Sequence, residues 1–166
     1  MPKLTPEPAL PVDTDGMPWI ATGPGKSFRP LRFAADGWSE LMRLEPGSAV
    51  ALHRHTGEVH ALNLSGTREI LGSGELVGPG GYVYEPAGTV DGWAAVGDEP
   101  CVVHIKVTGT IEYIDDDGQV IESVDADTQR AVYLAWCQDH DERPSGRILG
   151  RPGGPAQEQH RNGDKP

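Results

Sequence analysis

The sequence predicts an all-β protein that folds as a closed double-sheet barrel of the jelly-roll class. Glycine occurs 22 times and proline 15 times among 166 residues. Roughly ten short segments with strand-like composition alternate with turn signals such as Asp117-Gly118. Short strands separated by closely spaced turns are typical of sandwiches and barrels, and few stretches have the composition of a helix.

The length and composition indicate one domain with an ordinary hydrophobic core. With 37% apolar residues, the chain can bury a core without disulfides. Its net charge of −11 argues against nucleic acid or an anionic membrane as a partner. The sequence has neither a basic leader with an apolar core nor a run of eighteen apolar residues, so we expect a cytoplasmic protein. Cys101 and Cys137 are expected to be buried thiols.

The composition changes twice along the chain. Residues 1–16 contain four prolines and little that could be buried, which predicts an extended N-terminal arm. Residues 17–139 form the predicted domain. Residues 140–166 are rich in Arg, Gly, Pro, Gln and Asn, with only Ile148-Leu149 apolar from residue 141 onward, and this composition predicts a disordered tail.

One helix is expected, from residue 125 to about residue 139. Asp125 and Asp127 suit its N-terminus, where carboxylates cap the chain and complement the helix dipole. The segment that follows is too broadly apolar for a solvated helix. We therefore expect it to pack against the barrel or against a second subunit.

Three of the six histidines, His53, His55 and His60, fall within eight residues. Side chains alternate between the faces of a strand, so His53 and His55 project from the same side and can converge on one metal ion. Arg54 then points the other way. The alternative is that both histidines are polar residues on a solvent-exposed strand face.

Two motifs carry a family resemblance. Gly47, five residues, His53-x-His55, a third polar residue and Gly66 resemble the first motif of the cupins. The segment from Gly80 through Pro86-x-Gly88 follows the frame of the second cupin motif but ends on Asp91 where that motif has His. Stretches such as HRHTG-VHA and YVYEPAG are similar to the branch containing 2,4'-dihydroxyacetophenone dioxygenase and acetylacetone dioxygenase. The resemblance covers roughly residues 17–139.

The resemblance implies a metal site with three imidazoles and one carboxylate. Its ligands would be His53, His55, His60 and Asp91, with His60 taking the usual Glu position and Asp91 the terminal His position. An alternative count back from Gly66 puts Val59 in the Glu position and turns His60 to the other side. Such a set suits a divalent transition metal. Fe(II) is favoured, with Zn(II), Mn(II) or Ni(II) as alternatives.

Other residues have predicted roles outside this ligand set. The resemblance implies an inward-facing catalytic Glu85 that holds a metal-bound water or an imidazole, the alternative being a solvated strand residue. Tyr84 and Trp93 are predicted to line an apolar substrate pocket, although aromatic strand residues are also ordinary core. His104 alternates along its strand with Val102 and Lys106 and is expected to face solvent, the alternative being a fourth imidazole on an inward face. Glu58 beside the turn is expected to be exposed.

The implied function is that of a metal-dependent enzyme similar to the small dioxygenases of carbonyl compounds. It would use O₂ to cleave a C–C bond beside the carbonyl of a small ketone or hydroxy-ketone. One alternative is a non-oxidative zinc cyclase or isomerase of a ketone-bearing metabolite. Another is a non-catalytic ligand-binding or sensory cupin, which the change of the motif's His to Asp91 favours. The expected partners are a small-molecule substrate and further copies of the chain, in a homodimer or higher homo-oligomer.

Overall fold

A computed structural model describes residues 9–150 as twelve strands and two helices. The strands are β1 (Ile20–Gly23), β2 (Lys26–Phe33), β3 (Gly37–Leu44), β4 (Ala49–His55), β5 (Val59–Ser65), β6 (Thr67–Ile70), β7 (Leu76–Val77), β8 (Tyr82–Glu85), β9 (Val90–Val96), β10 (Cys101–Thr108), β11 (Ile111–Ile114) and β12 (Val120–Val124). The helices are α1 (Ala126–Asp139) and α2 (Gly146–Leu149).

The strands form two six-stranded antiparallel sheets. The first has the order β1-β2-β3-β10-β5-β8 and the second the order β12-β11-β4-β9-β6-β7. Chain neighbours such as β3 and β4 lie in different sheets, so the chain passes repeatedly from one sheet to the other. This arrangement confirms the predicted all-β jelly roll.

Alternation along the strands places the core between the sheets. In β10, Cys101, Val103, Ile105 and Val107 are buried, whereas the residues between them are more exposed. Aromatic side chains from other strands fill the same interior, among them Phe28, Phe33, Trp38 and Trp93. Because strand side chains alternate between faces, each inward apolar set leaves the intervening residues outside.

A β-bulge interrupts the alternation in β4. Val50 and His53 are both buried although they are an odd number of residues apart, and Ala51 and Leu52 between them are exposed. The pairing of β4 with β9 changes register between Val50 and His53. The extra residue switches the face that the following side chains occupy. His53 and His55 therefore point inward, while Arg54 lies outside.

Helix α1 begins where the sequence predicts it. Asp125 is the N-cap, and its carboxylate accepts a hydrogen bond of 2.8 Å from the backbone N–H of Thr128. The Thr128 hydroxyl in turn accepts one of 2.8 Å from the Asp125 backbone N–H, which completes a capping box. Tyr133 and Cys137 are buried, so the helix packs against the barrel.

The segment after α1 corrects the expectation of a disordered tail for residues 140–150. Ile148 in α2 is only 3% exposed, and the backbone N–H of Ser145 donates to the Tyr133 hydroxyl at 2.9 Å. Arg147 donates to the carbonyl of Pro11 at 2.7 Å, so the segment also contacts part of the N-terminal arm. One buried isoleucine and hydrogen bonds that each involve one backbone atom dock it. Residues 1–8 of the predicted arm and 151–166 of the predicted tail lie outside the described residues.

Within residues 9–150, no helix has the length and apolar character needed to cross a membrane. Cys101 in β10 and Cys137 in α1 are both buried free thiols.

Candidate metal centre

Two histidines and one glutamate converge inside the barrel. His53 and His55 come from β4 and Glu85 from the end of β8, and all three are buried. One ligand atom from each lies within 4.8 Å of the other two, so the group could hold a metal ion. His53 and His55 reach this position because the bulge turns them inward.

The spacing of the donor atoms fits a shared cation. His53 Nε2 lies 2.9 Å from His55 Nε2, and His55 Nε2 lies 2.9 Å from Glu85 Oε2. Glu85 Oε2 nevertheless has no hydrogen-bond partner among the described residues, so the short contact to His55 does not have hydrogen-bond geometry. Two ligand atoms at right angles around one ion, each about 2.1 Å from it, are about 3 Å apart.

His53 is prepared to act as a ligand through Nε2. Its Nδ1 lies 2.7 Å from the carbonyl oxygen of Ala51, a partner that can only accept, so Nδ1 carries the proton and Nε2 presents its lone pair. Burial lowers the pKa of His53. The imidazole is thus held neutral, which is the form that binds metals.

Asp91 lies beside this triad rather than within it. It is buried on β9, directly opposite His53 in the β4–β9 pairing, and its carboxylate is hydrogen-bonded to the backbone of Gly92. Burial, followed by the neighbouring Glu85 carboxylate, raises the pKa of Asp91. Two buried carboxyl groups so close together call for a compensating positive charge.

Arg68 on β6 supplies part of that charge and was not singled out from the sequence. It is 1% exposed, its Nε donates to Asn63 Oδ1 at 2.9 Å, and its guanidinium lies 5.0 Å from the ring centroid of Trp93. Its Nη2 is buried and has no hydrogen-bond partner within residues 9–150. Arg68 therefore has donors to offer to an oxygen atom inside the barrel. A buried Arg has no sequence signature beyond strand alternation, which does not tell which face is inward.

A cavity of about 30 Å³ adjoins the triad. Besides the triad, its lining includes Arg68, Trp93, Tyr113, Glu40 and apolar side chains such as Met42. A single water needs roughly 10–15 Å³, so the cavity accommodates an ion with one or two waters. An organic substrate must therefore be small, and adaptable side chains such as Met42 must move to admit it.

His60 does not reach this cluster, which corrects the ligand set that includes it. Its side chain is 39% exposed, its Nδ1 lies 2.5 Å from the Tyr82 hydroxyl, and its Nε2 lies 3.3 Å from Glu58. Val59 before it is buried. The alternation of β5 thus turns Val59 inward and His60 outward, as in the alternative count back from Gly66.

The two predicted pocket residues are separated in the structure. Trp93 is buried and lines the cavity. Tyr84 is 50% exposed and donates a hydrogen bond to Glu58 at 3.1 Å on the outside of the barrel, because the alternation of β8 that turns Glu85 inward turns Tyr84 outward. His104 also lies on the outer face, where its Nε2 is 3.0 Å from the Ser39 hydroxyl.

Glu40 is a further cavity residue that was not identified from the sequence. It is 2% exposed on β3, and burial raises its pKa from 4.5 to about 7, although hydrogen bonds from Gln129 and Trp38 oppose the rise. The segment Trp38–Leu44 alternates as a strand should. The sequence alone does not show which face of that strand is inward, so it does not distinguish a buried Glu from a solvated one.

A jelly roll with two histidines on one inward strand and a carboxylate converging on them defines the chain as a cupin. Residues 8–110 match the model of the ChrR cupin-like domain. The chain therefore belongs to the ChrR cupin-like family. A comparison with curated proteins gives no significant match.

Several solved structures share the fold. An RmlC-like cupin protein from Ralstonia eutropha JMP134 has a TM-score of 0.78 at 22% identity, covering 87% of this chain and 95% of its own. A protein of unknown function with a cupin-like fold from the same organism has a TM-score of 0.75 at 25% identity, covering 82% and 89%. An acetylacetone dioxygenase from Acinetobacter johnsonii has a TM-score of 0.68 at 22% identity, covering 80% and 95%. Likeness at this level of identity establishes the fold.

Proposed function

We propose that the protein is a metal-dependent dioxygenase that cleaves a C–C bond beside the carbonyl of a small ketone or hydroxy-ketone. The observation that carries this proposal is the donor set of His53, His55 and Glu85. Two histidines and one carboxylate with further open positions form the set that non-haem Fe(II) oxygenases use. Fe(II) is accordingly the favoured ion. Glu85, which the resemblance placed around the metal, becomes a proposed ligand.

The cation would polarise the substrate carbonyl as a Lewis acid and, as Fe(II), would supply electrons for O₂ chemistry. The protein's own residues supply orientation and exclusion of water. Arg68 offers the free Nη2 donors of a buried guanidinium to an enolate or hydroxyl oxygen. Trp93 and the apolar lining keep bulk water away.

The electrostatics of the cavity support a cation. Glu85 and Asp91 are both buried, whereas Arg68 is the one guanidinium near them among the described residues. A buried charge without compensation is costly, so two carboxylates and one guanidinium favour the uptake of positive charge. A divalent ion bound by neutral imidazoles supplies it.

The same donor set supports a second candidate, a non-oxidative zinc enzyme such as a cyclase or isomerase of a ketone-bearing metabolite. Two histidines and a glutamate also hold catalytic Zn(II), which polarises carbonyl groups without redox chemistry. The two candidates differ in their need for O₂. Turnover under anaerobic conditions with Zn(II) would favour the second.

The decisive experiment is oxygen uptake by protein reconstituted anaerobically with Fe(II), with Zn(II)-loaded protein as the matched control. β-Diketones and hydroxyacetophenones are the substrates to test. We expect Fe(II)-dependent consumption of one O₂ per substrate, with ¹⁸O from ¹⁸O₂ in both cleavage products. Absence of uptake with all of these ketones would contradict the dioxygenase. Purified protein that binds neither metal would instead support a non-catalytic, sensory role.

A homodimer or higher homo-oligomer and a cytoplasmic location stay predictions of this proposal. Sedimentation velocity on the purified chain tests the first, and fractionation of the source cells tests the second.

A further inference from the structure

Glu40 faces the cavity from the sheet opposite the two histidines. It belongs to β3 in the first sheet, whereas His53 and His55 belong to β4 in the second, and all three line the same cavity. Its carboxyl group is only 2% exposed. Burial of an ionisable group costs stability, and hydrogen bonds offset only part of that cost.

One carboxylate oxygen of Glu40 accepts two side-chain hydrogen bonds. Its Oε2 accepts hydrogen bonds of 2.9 Å from Trp38 Nε1 and of 2.9 Å from Gln129 Nε2. Oε1 makes no side-chain hydrogen bond within residues 9–150. Trp38 and Gln129, the latter from α1, thus fix the orientation of the carboxyl group and leave Oε1 to a ligand in the cavity.

We propose that Glu40 is the general base that removes a proton from the carbon next to the carbonyl of a small ketone bound in this cavity. The inference rests on the proposed function for the position of the carbonyl at the cation. The C–H bond breaks, and its proton moves to Glu40 Oε1. The electron pair forms a C=C bond, and the carbonyl π electrons move to the oxygen, which becomes an enolate oxygen. No oxidant is consumed.

The surroundings of Glu40 suit this step. A general base works best when its pKa is near the operating pH, and burial brings the pKa of Glu40 to about 7. The other ionisable side chains that face the cavity are His53, His55, Arg68, Glu85 and Tyr113. Arg68 is the cation among them, and its unpaired Nη2 can stabilise the enolate oxygen.

The test is hydrogen–deuterium exchange at the carbons beside the carbonyl of hydroxyacetone. Zn(II)-loaded protein is incubated anaerobically in D₂O, and loss of the ¹H NMR signals is followed. We expect the wild type to accelerate exchange with one ionisation near pH 7, and Glu40→Gln to slow it about 100-fold or more. The change keeps the shape and the acceptor oxygen, so zinc content and the circular dichroism spectrum should match those of the wild type.

Two further variants separate proton transfer from a structural role. Glu58→Gln makes the same chemical change on the outer surface and should exchange at the wild-type rate. Gln129→Met removes one hydrogen bond that stabilises the Glu40 carboxylate, so the pH midpoint of exchange should move upward.

Exchange by Glu40→Gln at the wild-type rate, or no exchange by the wild type above buffer, would overturn the inference. The oxygen-uptake assay reports separately on the proposed function. If the protein exchanges the ketone protons through Glu40 but consumes no O₂, the general base stands and the dioxygenase is refuted. If Glu40→Gln shows normal O₂ uptake and normal exchange, the dioxygenase stands and the general base is refuted.

Discussion

His53 and Asp91 lie directly opposite each other on β4 and β9, and both side chains are buried. Opposed residues on paired strands share one face of the sheet, so the Asp91 carboxyl group lies next to the first of the two histidines in the triad. Its negative charge acts on the triad without Asp91 being one of the three converging donors.

Asp91→Asn should weaken metal binding by about 10- to 100-fold, the usual effect of removing a charged group that supports the ligands. The substitution keeps the size of the side chain and removes its charge. Asp91→His would restore the residue of the second cupin motif and should retain the ion. Titration against a competing chelator measures both affinities. Equal affinity in the wild type and Asp91→Asn would show that Asp91 serves only its hydrogen bond to the Gly92 backbone.

His53→Ala and His55→Ala should each abolish stoichiometric metal binding, because two remaining donors in an open site are too few to hold a labile ion. His60→Ala is the matched control on the outer face of the barrel and should keep full occupancy. Elemental analysis after gel filtration gives the metal content. Full occupancy in either inner variant would refute the proposed centre.

Glu40 should make the metal-free protein less stable as the pH rises from about 4.5 to about 7. Its pKa in the folded chain lies above the ordinary value of 4.5, so the folded state binds the proton more tightly and loses stability when the group ionises. The shift from 4.5 to about 7 corresponds to about 3 kcal/mol. Urea unfolding of Glu40→Gln at pH 4 and pH 8 should show the variant gaining about this much over the wild type.

Glu58→Gln again serves as the control, because Glu58 is exposed and hydrogen bonds from His60 and Tyr84 lower its pKa. It should show no such gain at pH 8. A wild-type stability that does not fall between pH 4 and pH 8 relative to Glu40→Gln would mean that Glu40 ionises as readily as it does in the unfolded chain.

Truncation should distinguish the docked part of the C-terminal segment from the rest. Removal of residues 142–166 deletes Ile148 and the hydrogen bond from Ser145 to Tyr133, and the melting temperature should fall by several degrees. Removal of residues 151–166 leaves these contacts in place and serves as the reference. Ile148→Ala in the full chain should cost about 2 kcal/mol. Equal melting temperatures for both truncations would show that α2 adds nothing to stability.

The fold could be predicted from the sequence because strand composition, turn residues and a capped helix are local signals. Asp125 marks the helix start in the sequence as it does in the structure. The docking of α2 was missed, since one apolar pair in a polar segment looks like a tail until the surface that receives Ile148 is known. That surface is built by residues far away in the chain.

The site was only partly predictable. His53 and His55 were found because their spacing alone puts them on one face of a strand. His60 was misassigned because motif spacing gave two registers, and only the pairing of β5 with its neighbours shows that Val59 faces inward. Glu40 and Arg68 come from strands remote in sequence, and nothing local distinguishes an inward Glu or Arg from a solvated one.

The bulge in β4 makes the centre a matter of strand register as well as of residue type. From Val50 to His53 β4 advances three residues, whereas β9 advances only two from Trp93 to Asp91. If the full-length strand alternated without the bulge, Leu52 and Arg54 would take the inward positions after Val50, and both histidines would turn to solvent. Deletion of either Ala51 or Leu52 would instead remove the extra residue and leave His53 two positions after Val50, so both histidines would stay inside. The same chain without the bulge would keep every donor and have no place for an ion.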